Sequence, residues 1–427
     1  MTKTTSLADL SNNPSCQDDY DPNSMPVDKA RQFIRQYLNA VRETESLPLR
    51  DSLGRILAEE ILSPANVPNY DNSAMDGYAF NAADIDLVLP THLKVVGTAF
   101  AGKAFAGVVA QGECVRIMTG AAIPEGADTV VVQEKVSLDA DNITFNEAPK
   151  PRANVRYTGE DLQLGQTVLE QGHLMCPADL GLAASLGIAQ VQVYRKLKVA
   201  FFSTGDELVA LGQPLQIGQV YDSNRYTLYG MLKRLGLELI DLGAIADDPA
   251  LLEQTLLDAA SRSDVVITSG GVSVGEADYM KQLLAKHGQV MFWKMAMKPG
   301  RPLAYGKVGN AHYFGLPGNP VAVMVTFYQF VREALLRLMG QTKPEVLPMF
   351  NVECTQPIKK LTGRTEYQRG ILFTNANGDW CVKPTGAQGS ALLSSMSLAN
   401  CFIVLDEATG NIEAGAKVQV QPLHGII

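Results

Sequence analysis

The sequence predicts a multidomain α/β protein organised on a doubly wound parallel sheet. Three observations lead there. Between residues 196 and 340, short apolar runs at 199–202, 239–242, 265–267 and 313–315 alternate with stretches of helical periodicity. Such alternation builds a parallel sheet with helices on both faces. Several of these runs end in polar, glycine-rich turns, and ligands of doubly wound sheets bind at strand carboxyl ends. At 427 residues the chain is too long for one core; about three domains of roughly 150 residues is the expectation from length.

Composition narrows the functional class. An apolar content of 46% with 19% charged residues describes a folded, soluble protein. The net charge of −9 argues against general nucleic-acid binding, so an anionic ligand needs a local basic cluster. The cysteines at 16, 114, 176, 354, 381 and 401 form no C-x-x-C, and the five histidines are scattered. They read as reduced thiols, without a disulfide framework or a zinc centre. No apolar run approaches the ~20 residues of a membrane span, and no charged-then-apolar leader opens the chain. A cytoplasmic protein is expected.

Along the chain, residues 1–24 are rich in Ser, Asn, Asp and Thr and read as a flexible tail. Ala30, Phe33, Ile34, Tyr37, Leu38 and Val41 recur at helical spacing and open a discontinuous domain I, 25–66 and 149–195. Residues 67–148 read as an inserted β domain II, with strands near 93–96, 113–118, 129–136 and 143–145 and a hairpin turn at Asp139–Asn142. Within it DNSAMDGYAF, 71–80, reads as a polar loop, and Thr119-Gly120 stands at a strand end. A helix at 177–186 and a strand at 191–193 close domain I. Domain III, 196–342, is the α/β unit. Domain IV, 343–427, has alternating strands and an Asn375–Asp379 turn, the pattern of a small β barrel or sandwich.

The densest chemistry is TSGGVSVGEADY, 268–279, after the apolar run 265–267. Thr268, Ser269, Gly270 and Gly271 offer hydroxyls and backbone N–H groups suited to phosphate, and Ser273, Glu276 and Asp278 extend the polar turn. A tight strand-to-helix connection is the alternative. Glu207, Asp247, Asp278 and Asp161 are oxygen ligands of the kind Mg²⁺ takes, although Asp247, just before Asp248-Pro249, reads from local sequence foremost as a helix cap. Lys294, Lys298 and Arg301 surround the stiff MKPGRP loop and suit phosphate or a tetrahedral oxyanion; a solvated basic loop is the other reading. No histidine lies near the hydroxyl-bearing turns, which disfavours serine nucleophile chemistry. The sheet would bring STGDE, DDP, TSGGVSVGEAD and LPGNP to one edge.

These motifs together, with RIMTGAAIPEGAD (116–128), GED (159–161), YDSN (221–224), FWKMAMKPGRP (292–302), YQRG (367–370), GAQGS (386–390) and NCFIVL (400–405), resemble the molybdopterin molybdenumtransferase (MoeA) family, which is similar to the C-terminal domain of gephyrin. The resemblance runs from about residue 27 to the end. It implies a homodimer of four-domain subunits with a C-terminal β-barrel, and a cleft shared between domain II of one chain and domains III and IV of the other. It also implies insertion of molybdate into adenylylated molybdopterin with Mg²⁺-dependent release of AMP. On that resemblance the catalytic set is Asp278, Glu207, Asp161, Lys294 and Lys298, and the metal set Glu207, Asp247 and Asp278. The substrate-binding set is Asp76, Thr119, Ser269, Gly270, Gly271, Ser273, Arg301, Pro317, Pro320, Arg369 and Ser390. Arg301 stands where relatives commonly carry lysine. The implied partners are the two substrates, a second copy of the chain and the adenylyltransferase of the same pathway. Two alternatives remain: a molybdopterin adenylyltransferase, whose relatives resemble domain III alone with a turn nearer GGTG, and a non-enzymatic gephyrin-like scaffold, for which no separate scaffold module is visible.

Overall fold

The computed structural model describes residues 24–85, 90–271, 279–344 and 347–423. The expected tail to residue 23, Ser273 and Asp278 lie outside the described residues.

A six-stranded sheet dominates the α/β region. Its order is Glu238–Ile245, Lys198–Thr204, Val265–Ser269, Ala311–Leu316, Pro302–Val308 and Gly288–Lys294. The first four strands are parallel. Along the last three of these the side chains alternate between two buried layers, which is why those strands read as continuous apolar runs, while the edge strand Glu238–Ile245 is only partly covered. Val199, Phe201, Val265, Ile267 and Phe314 meet Leu228, Met231 and Leu232 of the Ser223–Arg234 helix on one face. Ala200, Phe202, Val266 and Tyr313 meet Leu252, Leu256, Met280 and Leu284 of two helices on the other.

Beside the expected parallel strands the sheet carries one reversed strand that the sequence reading does not mark. Pro302–Val308 runs antiparallel to both neighbours. The cause is local: only Gly309 and Asn310 separate it from Ala311–Leu316, and a two-residue connection closes an antiparallel hairpin.

Two further β units are present. Residues 77–145 hold a second six-stranded sheet, and the segments on either side of it pair with each other, Thr44–Pro48 against Gln190–Tyr194. Strands Phe350–Cys354, Thr365–Thr374, Trp380–Pro384, Cys401–Leu405 and Lys417–Pro422 pair in a closed ring, a five-stranded barrel. Tyr367 and Phe402 of the barrel, and Ala30 and Ile34 of the Val27–Tyr37 helix, belong to the same buried cluster as one face of the central sheet. Barrel, first helix and sheet are thus packed as one body.

A strap at 294–301 joins them. The Met25 N–H donates to the Lys294 carbonyl at 2.7 Å, and the Ala296 N–H donates back to the Met25 carbonyl at 2.9 Å. On its other side the Thr365 N–H donates to the Ala296 carbonyl, and Met297–Lys298 pairs with the barrel strand.

Candidate active site

The parallel strands end around an open cavity of about 780 Å³. It lies at the topological switch point. The first strand of this region, Lys198–Thr204, has the second and third on opposite sides, and their connecting helices pack on opposite faces. Thr204, Gly205 and Glu207 line it from the first strand, Asp247 from the second, Gly270 and Gly271 from the third, and Pro317, Gly318 and Asn319 from the fourth. Lys298, Pro299, Gly300 and Arg301 of the strap close another wall, and Gln388, Gly389 and Ser390 come from a barrel loop. The four loops expected at one edge do share one cavity, as far as they are described.

The glycine turn has a steric reason. Gly270 has φ +90°, and a Cβ there would stand 2.7 Å from the Thr204 carbonyl oxygen. Only glycine lets the third strand turn that close to the first. The turn is anchored where the Gly270 N–H donates to the Leu316 carbonyl at 3.2 Å.

Charge is divided across the cavity. Asp247 is held above the ordinary carboxylate range, first by burial and then by the negative charges of Asp206 and Glu207. Its helix-cap role, the foremost local reading, is corrected: Asp248 caps, accepting the Leu251 N–H at 2.8 Å, and this leaves Asp247 at the cavity. Lys298 and Arg301 face from the strap, and Lys298 Nζ lies 3.4 Å from the buried Glu366. Among the described residues no group of three or more His, Cys, Asp or Glu side chains is placed to hold a metal ion. The third carboxylate of the expected set, Asp278, is outside the described residues.

Ser390 lines the cavity, and its carbonyl accepts the Val321 N–H at 3.1 Å, tying the barrel loop to the helix that starts at Pro320. Arg369 does not line it. Its side chain is 1% exposed, donating from Nε to Ser395 Oγ at 3.0 Å and from a terminal nitrogen to the Gly389 carbonyl at 3.0 Å. Burial pulls its guanidinium down to about 10, still charged at neutral pH. In this chain Arg369 shapes the loop that presents Gly389 and Ser390.

Other expected residues also stand outside the cavity lining. Ser269 is buried behind the glycine turn, Lys294 pairs across the sheet with the lining Pro302, and Pro320 follows the lining Asn319. Asp161 is an exposed turn residue whose N–H donates to the Val67 carbonyl at 3.0 Å. Asp76 and Thr119 meet each other in the inserted sheet. Asp76 Oδ1 accepts the Thr119 N–H at 2.7 Å and its hydroxyl at 2.8 Å, which holds the Asp76 carboxyl below its usual range. Arg364, Gln388, Tyr279 and Asn319 line the cavity without having been singled out from the sequence. Gln388 and Asn319 sit inside the quoted motifs, which was the available signal. Arg364, in an ordinary-looking Thr-Gly-Arg turn, gave none.

Three family models match the chain: the MoeA N-terminal region (domain I and II) over residues 25–187, a probable molybdopterin binding domain over 200–337, and the MoeA C-terminal region (domain IV) over 351–423. The chain is 49% identical over 404 residues to the molybdopterin molybdenumtransferase of Haemophilus influenzae, covering 94% of this chain and 100% of the relative. It is 37% identical to the molybdopterin molybdenumtransferase of a Nostoc species, covering 90% of each. It is 33% identical to gephyrin of Dictyostelium discoideum, covering 93% of this chain but 62% of that protein. Among solved structures, the molybdopterin biosynthesis moeA protein from Pyrococcus horikoshii OT3 superposes with a TM-score of 0.81 at 30% identity, covering 93% of this chain and 100% of the other.

Proposed function

The chain belongs to the MoeA family of molybdopterin molybdenumtransferases, and from that premise we propose that its cavity inserts molybdate into adenylylated molybdopterin with release of AMP. It is an enzyme of molybdenum cofactor biosynthesis. The observation that carries the finer reading is the division of charge around one cavity, Glu207 and Asp247 against Lys298 and Arg301. A substrate with a phosphoanhydride and a second, tetrahedral anion needs both halves: fixed cations for the anions and carboxylates for a metal that screens the diphosphate.

Lys298 supplies a point charge and Arg301 a planar fork, so the strap can hold molybdate beside a phosphate. The N–H groups of the Gly270–Gly271 turn are suited to phosphate oxygens. Glu207 and Asp247, with Asp278, would hold Mg²⁺. Burial first, and then the like charges of Asp206 and Glu207, hold the Asp247 carboxyl up, and a divalent cation would offset both. Bound there, Mg²⁺ would neutralise charge developing on the leaving phosphate.

A homodimer completes the proposed cleft. Asp76 and Thr119 have no place in the cavity of their own chain, and the segment beyond Glu207 leaves Leu211, Ile217, Val220, Tyr226 and Tyr229 exposed. A run of exposed large apolar side chains marks an association surface. The adenylyltransferase that makes the substrate is the proposed protein partner, and the cytoplasm the proposed compartment. Among the described residues no helix is long and apolar enough to cross a membrane. The adenylyltransferase alternative is not favoured, since the match includes the N- and C-terminal MoeA regions.

The test mixes purified protein with adenylylated molybdopterin, Mg²⁺ and molybdate, and measures AMP and metallated pterin. No AMP from folded protein overturns the reading. For the shared cleft, Asp76→Ala and Lys298→Ala chains are each inactive, and co-expressed they recover about a quarter of wild-type activity, since half the dimers are mixed and each carries one intact site. A mixture as inactive as its parents rules out sharing.

A further inference from the structure

We infer that Asn224 is a positioning residue of this cleft, locking the glycine turn to the Pro317–Asn319 loop, and that it acts as a double donor. The inference rests on reading the cavity as the substrate cleft. Asn224 is the second residue of the Ser223–Arg234 helix, whose N-cap is Asp222. Asp222 accepts the Arg225 N–H and the hydroxyl of Ser203, so the start of the helix is fixed to the end of the first strand. From there the Asn224 amide nitrogen donates to Ser269 Oγ at 2.8 Å and to the Gly318 carbonyl at 2.7 Å. Ser269 Oγ lies 3.3 Å from the Pro317 carbonyl, to which it donates. One side chain thus ties the third strand's turn to the fourth strand's loop, next to Gly270 and Gly318, which face the cavity.

The amide oxygen of Asn224 is sealed from solvent and meets no donor among the described residues. The two donated bonds alone therefore orient the group. Both receivers are oxygens, so the position calls for N–H hydrogens and not merely for a polar side chain of this shape. A carboxylate of the same size would set negative charge against a carbonyl oxygen and a hydroxyl oxygen. Protonated, it recovers one donated bond. The nearby charges on its own helix pair among themselves and with the neighbouring strand: Arg225 Nε lies at ion-pair distance, 3.3 Å, from Asp222 Oδ2, and Arg225 also pairs with Asp241 at 3.0 Å. The strand and loop packed against Asn224 face it with the Ser269 hydroxyl and the Pro317 and Gly318 carbonyls.

The experiment compares wild type, Asn224→Asp and Asn224→Ala in two readouts across pH. The first, amide hydrogen exchange at Gly270, is independent of activity, because that N–H is held by the Leu316 carbonyl. Both variants exchange at least about fivefold faster than wild type at high pH, and Asn224→Asp alone regains protection as its carboxyl protonates. The second is AMP release. Turnover of both variants falls about tenfold at high pH, and the ratio of Asn224→Asp to wild type climbs on acidification while that of Asn224→Ala stays flat. Unchanged Gly270 exchange refutes the clamp whatever the turnover. Faster exchange with normal turnover, or two variants that run parallel with pH, refutes the positioning role. If wild type releases no AMP while the exchange pattern is as expected, the clamp stands and the assigned reaction falls.

Discussion

Asp264 receives both terminal nitrogens of Arg195, at 2.7 and 2.8 Å, at the amino end of the central strand. The same carboxylate accepts the Lys198 N–H at 2.8 Å, and the Asp264 carbonyl accepts the His312 N–H. One residue therefore aligns the starts of three parallel strands whose far ends form the cavity. Register set here is read out at Ser203, Ser269 and Leu316.

Replacing Arg195 by Met leaves a half-buried carboxylate short of its partner and costs about 1–3 kcal/mol. The measurement is the urea midpoint. The penalty also depends on pH. Burial pushes the Asp264 carboxyl up, but the Arg195 pair and the Lys198 N–H outweigh it, so it sits below its ordinary range. The stabilisation is complete above the unfolded value near ~4 and is lost as pH falls through the lower folded value. Wild type and variant therefore converge in acid. A gap that persists there shows that packing, not the ion pair, is responsible.

Deleting residues 1–25 frees the Lys294 carbonyl and the Ala296 N–H that Met25 now holds. The strap then keeps its barrel contact and loses its other edge. The Michaelis constant for molybdate rises roughly three- to tenfold, the worth of one or two hydrogen bonds. Met25→Ala, which keeps both backbone bonds, is near silent by the same assay. Equal effects of the two changes would assign the role to the Met25 side chain.

Much of this was legible because local chemistry and tertiary role agreed. The runs at 265–267 and 199–202 are apolar since both sheet faces are covered, and periodicity records that directly. The reversed strand Pro302–Val308 escaped because it follows a proline-rich loop and its hairpin turn, Gly309-Asn310, is a weak signal without a partner strand to compare. Asp247 and Asp248 are adjacent and identical in type, so sequence could not say which one caps the helix and which faces the cavity. Asp76 and Arg369 show a deeper limit: the motif is visible, but the direction of the side chain depends on residues far along the chain, Thr119 and Ser395.

Asp247→Asn removes one charge from a crowded group and has opposite effects with and without metal. In metal-free buffer the variant melts slightly higher than wild type, because burial and the charges of Asp206 and Glu207 already disfavour the ionised Asp247. Mg²⁺ raises the melting temperature of wild type by binding the folded state, and the variant loses most of that rise. Glu207→Gln loses the Mg²⁺-dependent rise in the same way. If Mg²⁺ shifts wild type and variants equally, these carboxylates do not hold it.

Gly300→Ala tests whether the strap's backbone path is required for anion binding. Gly300 has φ +100°, and an added Cβ would stand 2.6 Å from Thr326 Oγ1 and 3.1 Å from the Met297 methyl. Thr326 is fully buried and cannot swing away. Either the strap moves off the helix beneath it or the strain stays in place, at about 1–3 kcal/mol. Because Lys298 and Arg301 sit on both sides of Gly300, movement of the strap displaces two cavity cations together. Molybdate binding, followed by calorimetry in the absence of pterin, weakens about tenfold or more. Thr326→Ala in the same chain removes the contacted oxygen and restores part of the affinity. If the double variant binds no better than Gly300→Ala alone, the loss comes from the backbone conformation and not from the clash with Thr326.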